Sequence, residues 1–243
     1  MSNNYFNDNN ECLPKRINET HQLALFVCDT SGSMGGVPIT NLMKAVNNFK
    51  KSACEDKKAA DVIDVAVLGF NHDTWLVQGW HPVSEMEPVQ MRASGGTDIS
   101  KALNTAVQMV RERCLYPSYA GNLYKPVIVL ITDGYGGDVS EVAKLIQRRI
   151  EEKKLQLWIL CAKDYDKETV AKLCQKGKDG KPRFVFELED KNGYDFSQFF
   201  NILSKTLVEV SHRAPGEENN IRVTRDEVDN LKVPDLNAWL NDD

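Results

Sequence analysis

One stretch decides the fold: Leu23-Ala24-Leu25-Phe26-Val27-Cys28-Asp29-Thr30-Ser31-Gly32-Ser33-Met34, an apolar run that ends in a carboxylate and two spaced hydroxyls. The run has the length and apolarity of a strand buried on both faces, as in a parallel sheet. Open α/β sheets bind their ligands at the carboxyl ends of such strands. Since Mg²⁺ takes oxygen ligands, Asp29, Ser31 and Ser33 are candidate metal ligands. The alternative is that they only cap the helix that follows.

Strand-like and helix-like segments alternate along the rest of the chain. Helical spacing of apolar residues predicts one helix after Pro38 and another near Ile99, and residues 63–70 and 75–77 are predicted to form an antiparallel hairpin at a sheet edge. The expected fold is α/β, a single doubly wound, mostly parallel sheet with one antiparallel edge strand and helices on both faces. The other predicted elements are a strand that begins at Pro126 and ends in Asp133-Gly134, strands over 155–162 and 184–187, and helices over 139–153, 167–176 and 196–210.

Size and composition limit the class of protein. The 243 residues are enough for one substantial α/β domain, and the hydrophobic and charged shares of 42% and 27% are ordinary for a soluble protein. The net charge of −5 argues against a nucleic-acid surface. The chain has no run of ~20 apolar residues and does not begin with a secretion-signal pattern. Its six cysteines are scattered without a close pair, which favours free structural thiols. We therefore expect a cytoplasmic protein.

Composition divides the chain into three regions. Residues 1–20 are rich in Asn and are expected to be a flexible N-terminal arm, residues 21–212 form the domain, and residues 213–243 form a polar C-terminal tail. Tail residues with helical spacing could pack on the domain, stay disordered or dock on a partner. They are Leu236, Trp239 and Leu240.

Three loops that carry oxygen-bearing side chains are expected at the same edge of the sheet. They are residues 29–33, 96–98 and 132–134, and none of them offers a softer ligand. The carboxyl ends of neighbouring parallel strands share one crevice, so groups that are far apart in sequence can converge there on one ion.

These loops resemble those of von Willebrand factor A domains with a metal-ion-dependent adhesion site. That motif is Asp-x-Ser-x-Ser, then a Thr, then an Asp in a Thr-Asp-Gly context. The resemblance implies an Mg²⁺ site, with Mn²⁺ or Ca²⁺ as alternatives, in which the hydroxyls bind directly or nearly so and the carboxylates bind directly or through water. The matching residues are Asp29, Ser31, Ser33, Thr97 and Asp133.

The resemblance covers roughly residues 20–212 and is greatest to bacterial intracellular proteins of the tellurium-resistance, TerY-like group. It implies a protein-interaction module without catalytic residues, which binds an acidic side chain of a partner protein in a stress-response or signalling assembly. No membrane partner and no small-molecule substrate are expected. The chain has Tyr135-Gly136-Gly137-Asp138 where the family often carries a Pro, and glycines leave the rim of the site bare of side chains.

Two other functions are considered. A metal-assisted phosphohydrolase or phosphotransferase would use the same ion as a Lewis acid, but the loops offer no obvious nucleophile. A nucleic-acid-associated structural subunit is disfavoured by the acidic charge.

Several further polar residues have more ordinary explanations. Asp98 and Asp138 precede predicted helices and are interpreted mainly as caps. A zinc site formed by His72, His81 and Asp73 lacks the expected ligand spacing. The segment Gly177-Lys178-Asp179-Gly180-Lys181 lacks the spacing of a phosphate loop and is predicted as a turn.

Overall fold

The fold is described from a computed structural model for residues 12–119, 121–133, 135–162, 165–176, 182–188, 194–214 and 231–232. These residues contain nine strands: β1 (Gln22–Asp29), β2 (Ile63–Phe70), β3 (Thr74–Pro82), β4 (Val127–Thr132), β5 (Gln156–Cys161), β6 (Gln175–Lys176), β7 (Pro182–Arg183), β8 (Val185–Leu188) and β9 (Leu231–Lys232). They also contain six α-helices: α1 (Val37–Ala53), α2 (Ala59–Val62), α3 (Ile99–Cys114), α4 (Ser140–Glu151), α5 (Lys167–Leu173) and α6 (Ser197–Ser211).

Seven strands form one sheet in the order β3-β2-β1-β4-β5-β8-β9, and β6 pairs separately with β7. The neighbours from β2 to β8 run parallel, and β3 returns antiparallel to β2 as the predicted edge hairpin. The predicted α/β fold, a mostly parallel sheet with helices around it, is confirmed.

β1 lies in the interior of the sheet, between β2 and β4, and its side chains are apolar on both faces. Phe26 and its neighbours at even positions pack with residues of α1 and α6, whereas Leu25 and its neighbours at odd positions pack with residues of α3 and α4. All eight side chains of β1 are buried. The alternation of a strand therefore supplies two cores from one apolar run.

The segment predicted as a helix over 167–176 is a shorter helix followed by a strand. α5 ends at Leu173, Cys174 has extended backbone angles, and Gln175–Lys176 pairs with Pro182–Arg183. The buried Gln175 amide donates to the Leu157 carbonyl of β5 at 3.1 Å. This hydrogen bond to the sheet ends the helix at Leu173, although the spacing of apolar residues would allow the helix to continue.

Segments near both ends of the chain contact the domain. Residues 12–20 belong to the segment expected as an arm, and here the Cys12 amide donates to the Trp80 carbonyl at 2.8 Å and Arg16 pairs with Asp61 at 3.0 Å. β9, from the expected tail, pairs antiparallel with β8 at the other sheet edge. The apolar tail residues 236–240 lie outside the described residues. Within the part described, no helix is both long and apolar enough to cross a membrane.

A buried polar cluster lies at the amino ends of the strands. Asp64, near the start of β2, accepts hydrogen bonds from the His21 ring at 2.8 Å and from the Tyr119 hydroxyl at 3.0 Å. The Arg113 guanidinium donates to the same hydroxyl at 2.7 Å and to the Cys12 carbonyl at 3.0 Å. The cluster therefore joins the N-terminal segment, the residue before β1, the start of β2, the end of α3 and the turn after α3, at the end of the sheet opposite Asp29.

Candidate functional site

Asp29 is the last residue of β1, and its carboxylate is fully buried. The Ser31 amide donates to one carboxylate oxygen at 2.8 Å, and the Thr132 hydroxyl of β4 donates to the other at 2.7 Å. The two bonds hold the carboxylate in one orientation between neighbouring strands.

Ser31 and Ser33 follow Asp29 in the chain by two and four residues. Their hydroxyl oxygens are 2.9 Å apart, with Ser31 buried and Ser33 exposed. Neither hydroxyl caps a helix: the short 3₁₀ turn Gly32–Met34 and α1 both begin without a side-chain cap bond. The capping alternative is therefore wrong for these hydroxyls, which form a hydrogen bond with each other instead.

The loop before α3 is joined to the loop after β1 by main-chain bonds. The Gly32 amide donates to the Gly95 carbonyl at 2.9 Å, and the Ser94 amide donates to the Thr30 carbonyl at 2.8 Å. Thr97 follows Gly95 by two residues and is half-buried. Among the described residues, no hydrogen bond joins Thr97 to the other four predicted ligands. The structure places Thr97 beside the site by its loop rather than by a direct contact.

The loop after β4 packs against the start of α3. A Cβ on Gly136 would lie 2.5 Å from the Ile99 side chain, so the backbone of Gly136 packs closely against that side chain. Asp133, half-buried at the beginning of this loop, directly follows the Thr132 that binds Asp29. The three predicted loops thus meet at one edge of the sheet, as the sequence indicated.

Burial raises the pKa of Asp29 to about 6, and the charge on Asp133 acts in the same direction. Hydrogen bonds from Ser31 and Thr132 oppose this shift by favouring the ionised form. A buried carboxylate with a second carboxylate nearby is a place where a cation lowers the free energy.

The chemistry of the donor set fits a small hard cation. Two oxygens at adjacent corners of an octahedral Mg²⁺ shell, each roughly 2.0–2.1 Å from the ion, lie about 2.9 Å apart. The Ser31 and Ser33 hydroxyl oxygens have this separation, at 2.9 Å. The set holds only two carboxylates, and no group of three or more His, Cys, Asp or Glu that could hold a metal lies within the described part of the chain.

The other polar candidates resolve more simply. The Asp98 carboxylate accepts from the Lys101 amide at 2.8 Å as the N-cap of α3, so this predicted cap is confirmed. Asp138 accepts from the Ser140 amide at 2.9 Å, but the N-cap residue of α4 is Val139, so Asp138 is not the cap that was predicted. The zinc interpretation is wrong, because His72 lies in the β2–β3 turn whereas His81 lies in β3 opposite Val65. The predicted turn at 177–181 lies outside the described residues.

Two residues that shape the site were missed in the sequence. Thr132 orients Asp29, and its place one residue before Asp133 at a strand end was an available signal. Asn71 donates to the Ser94 carbonyl at 2.8 Å and accepts from the Asp98 amide at 2.7 Å through its own carbonyl, which fixes the loop that carries Thr97. Nothing in the local sequence marks Asn71 as more than a turn residue.

Gly95→Ala is expected to lower the free energy of unfolding by about 1–2 kcal/mol. Gly95 has a φ of +74°, and a Cβ there would lie 2.6 Å from the His72 ring. Gly96→Ala is the matched control, because nothing lies within 4 Å of its Cβ position. Urea unfolding of both variants measures the difference, and equal losses would contradict the explanation.

The family comparison agrees with this architecture. Residues 24–135 match the model of the von Willebrand factor type A domain, a segment that contains all five predicted ligands. No curated protein matches the sequence.

Solved structures with the same fold share little sequence with this chain. The von Willebrand factor type A protein from Catenulispora acidiphila has a TM-score of 0.55 at 14% identity over 78% of this chain and 43% of its own. The vWF domain of the type V pili tip protein Mfa5 from Porphyromonas gingivalis has a TM-score of 0.56 at 10% identity, over 85% of this chain and 99% of its own. The pilus adhesin SpaC from Lactobacillus rhamnosus GG has a TM-score of 0.60 at 14% identity, over 81% of this chain and 31% of its own. The chain thus spans less than half of the first and third proteins.

Proposed function

We propose that this chain, whose residues 24–135 match the model of the von Willebrand factor type A domain, is a protein-interaction module that binds an acidic residue of a partner protein through a divalent cation. Domains of this family are typically interaction or adhesion modules. The ion is Mg²⁺ in our proposal, with Mn²⁺ and Ca²⁺ as alternatives. Its ligands, direct or through water, are Asp29, Ser31, Ser33, Thr97 and Asp133.

One observation carries this proposal: the paired hydroxyls of Ser31 and Ser33, 2.9 Å apart, next to the buried and oriented carboxylate of Asp29. Such hydroxyls are neutral ligands. With at most two carboxylates in the set, a bound divalent cation keeps part of its charge and can accept a carboxylate from outside.

The protein's own residues would prepare this contact. Thr132 holds the Asp29 carboxylate in place, and the Gly32–Gly95 main-chain bond holds two of the loops together. The exposed Ser33 and half-buried Asp133 lie toward solvent, where a partner can approach.

The finer parts of the proposal concern biological setting. We propose a cytoplasmic protein of a bacterial stress-response or signalling assembly, TerY-like in type. The amino-acid sequence of the three loops supports the TerY-like assignment. The six cysteines form no disulfide, which is compatible with a reducing compartment. No observation on the described residues favours the phosphohydrolase alternative.

Millimolar Mg²⁺ is expected to raise the melting temperature of the wild-type chain by several degrees relative to chelator, since a ligand at 100 times its Kd adds about 2.7 kcal/mol. Ser33→Ala and Asp133→Asn are expected to weaken the apparent Mg²⁺ affinity about tenfold or more.

Thr105→Ala is the control for this experiment, because Thr105 lies within α3 and its hydroxyl donates to the Lys101 carbonyl of the same helix at 3.0 Å. It should keep the full Mg²⁺ response. A wild-type chain whose melting temperature does not respond to Mg²⁺, Mn²⁺ or Ca²⁺ would remove the metal-dependent mechanism.

A further inference from the structure

Large apolar side chains are exposed at both ends of the sheet. Within the described part of the chain there are five, and two of them flank the candidate metal site. Val37, 58% exposed, begins α1 four residues after Ser33, and Tyr135, 64% exposed, follows Asp133 by two residues. The other three, which belong to the N-terminal segment or to the end of α3, are Leu13, Ile17 and Leu115.

We propose that Val37 and Tyr135 are the specificity-determining contacts of the partner site, so that the partner presents a carboxylate with a large apolar side chain close to it in the same short segment. The inference rests on the proposed function, because the carboxylate is the group that the cation would hold. It adds the chemical identity of the residue beside that carboxylate.

Three glycines in the loops that carry or adjoin these two side chains leave backbone open to a partner's main chain. Gly36, Gly96 and Gly137 each have nothing within 4 Å of the position where a Cβ would stand. An approaching segment would therefore meet backbone at the centre of the surface and apolar side chains at its margins. Exposed aromatic residues next to such a centre are typical anchors in interfaces, where a few of them carry most of the binding energy.

Charge at the rim favours a partner that also binds through an apolar side chain. Three carboxylates lie in or beside these loops, on Asp98, Asp133 and Asp138. Without a cation they would repel an acidic segment, so a carboxylate alone would depend wholly on the ion. An apolar neighbour supplies binding free energy that does not depend on charge, and it discriminates among the many acidic segments of other proteins.

The test is selection from a random peptide display library on the full chain, in Mg²⁺ and in chelator. In Mg²⁺ the selected peptides should carry Asp or Glu with a large apolar residue within two positions, and chelator should abolish their binding. Tyr135→Ser and Val37→Ser should each weaken binding of a selected peptide about tenfold while the Mg²⁺ thermal shift is retained. Leu115→Ser, at a residue 72% exposed at the far end of α3, is the control and should bind as the wild type.

The outcomes separate the two proposals. Acidic, Mg²⁺-dependent peptides with no apolar preference, or Tyr135→Ser and Val37→Ser variants that bind them as tightly as the wild type, overturn this inference and leave the proposed function intact. Selected peptides that bind equally in chelator, or no enrichment in Mg²⁺, overturn both.

Discussion

Asp64→Ala is expected to lower the free energy of unfolding by about 3–5 kcal/mol, because it removes the carboxylate at the centre of a buried cluster. The His21 ring and the Tyr119 hydroxyl both donate to this carboxylate, at 2.8 and 3.0 Å, and all three side chains are fully buried. After the substitution their polar groups would face an apolar cavity without water, and the Arg113 charge would lose the carboxylate it meets through Tyr119.

Two further variants serve as comparisons for the loss of unfolding free energy. Tyr119→Phe removes one hydroxyl and keeps the carboxylate, so a loss of about 1–2 kcal/mol is expected. Glu141→Ala removes an exposed carboxylate that pairs with Lys144 on the surface of α4, and its effect should stay below about 0.5 kcal/mol. Urea unfolding followed by circular dichroism measures all three, and an Asp64→Ala loss as small as that of Glu141→Ala would show that the cluster contributes little.

Asp29→Asn is expected to change stability in opposite directions with and without Mg²⁺. Burial raises the pKa of Asp29 to about 6, above the value of about 4 for an unfolded chain. Between these values the folded state binds more protons than the unfolded state, so the free energy of unfolding falls as the pH rises from about 4 to about 6 and stays lower above that.

Asparagine carries no charge and avoids this loss. Its amide can accept from the Ser31 main chain and can donate to the Thr132 oxygen, which the hydroxyl can accommodate by rotation. In chelator at pH 8 the variant should therefore be more stable than the wild type by about 1–2 kcal/mol. In millimolar Mg²⁺ the order should reverse, because only the wild type gains binding free energy.

Thermal unfolding at pH 4 and pH 8, with chelator and with Mg²⁺, checks both signs. The wild type in chelator should lose stability relative to Asp29→Asn between the two pH values. An Asp29→Asn variant that is stabilised by Mg²⁺ as much as the wild type would remove Asp29 from the site. A variant less stable than the wild type in chelator at pH 8 would show that the buried charge is not costly.

The sequence predicted the features that depend on the alternation of apolar residues and on where strands end. β1 could be recognised because it is apolar on both faces, and the carboxyl ends of β1 and β4 could be placed together because parallel strands share an edge. The same reasoning brought the loops of Asp29 and Asp133 to one place.

Other features depend on contacts that leave no local pattern. The end of α5 at Leu173 is set by a buried amide bond from Gln175 to β5, which no helical periodicity records. The partners of Asp64 come from positions 43 and 55 residues away. Asn71 and Thr132 act through bonds to other loops, so their roles become visible only when those loops are in place.

The pairing of β9 with β8 has a consequence for aggregation. Glu187 and Leu188 face Lys232 and Leu231 across this edge, so the main chain of the edge strand is partly covered by the chain itself. A sheet edge with unpaired N–H and C=O groups is a template for strands of other molecules. A chain cut after residue 214 would lack β9 and would expose the edge of β8. The C-terminal segment therefore helps to prevent β8 from pairing with a strand of another molecule.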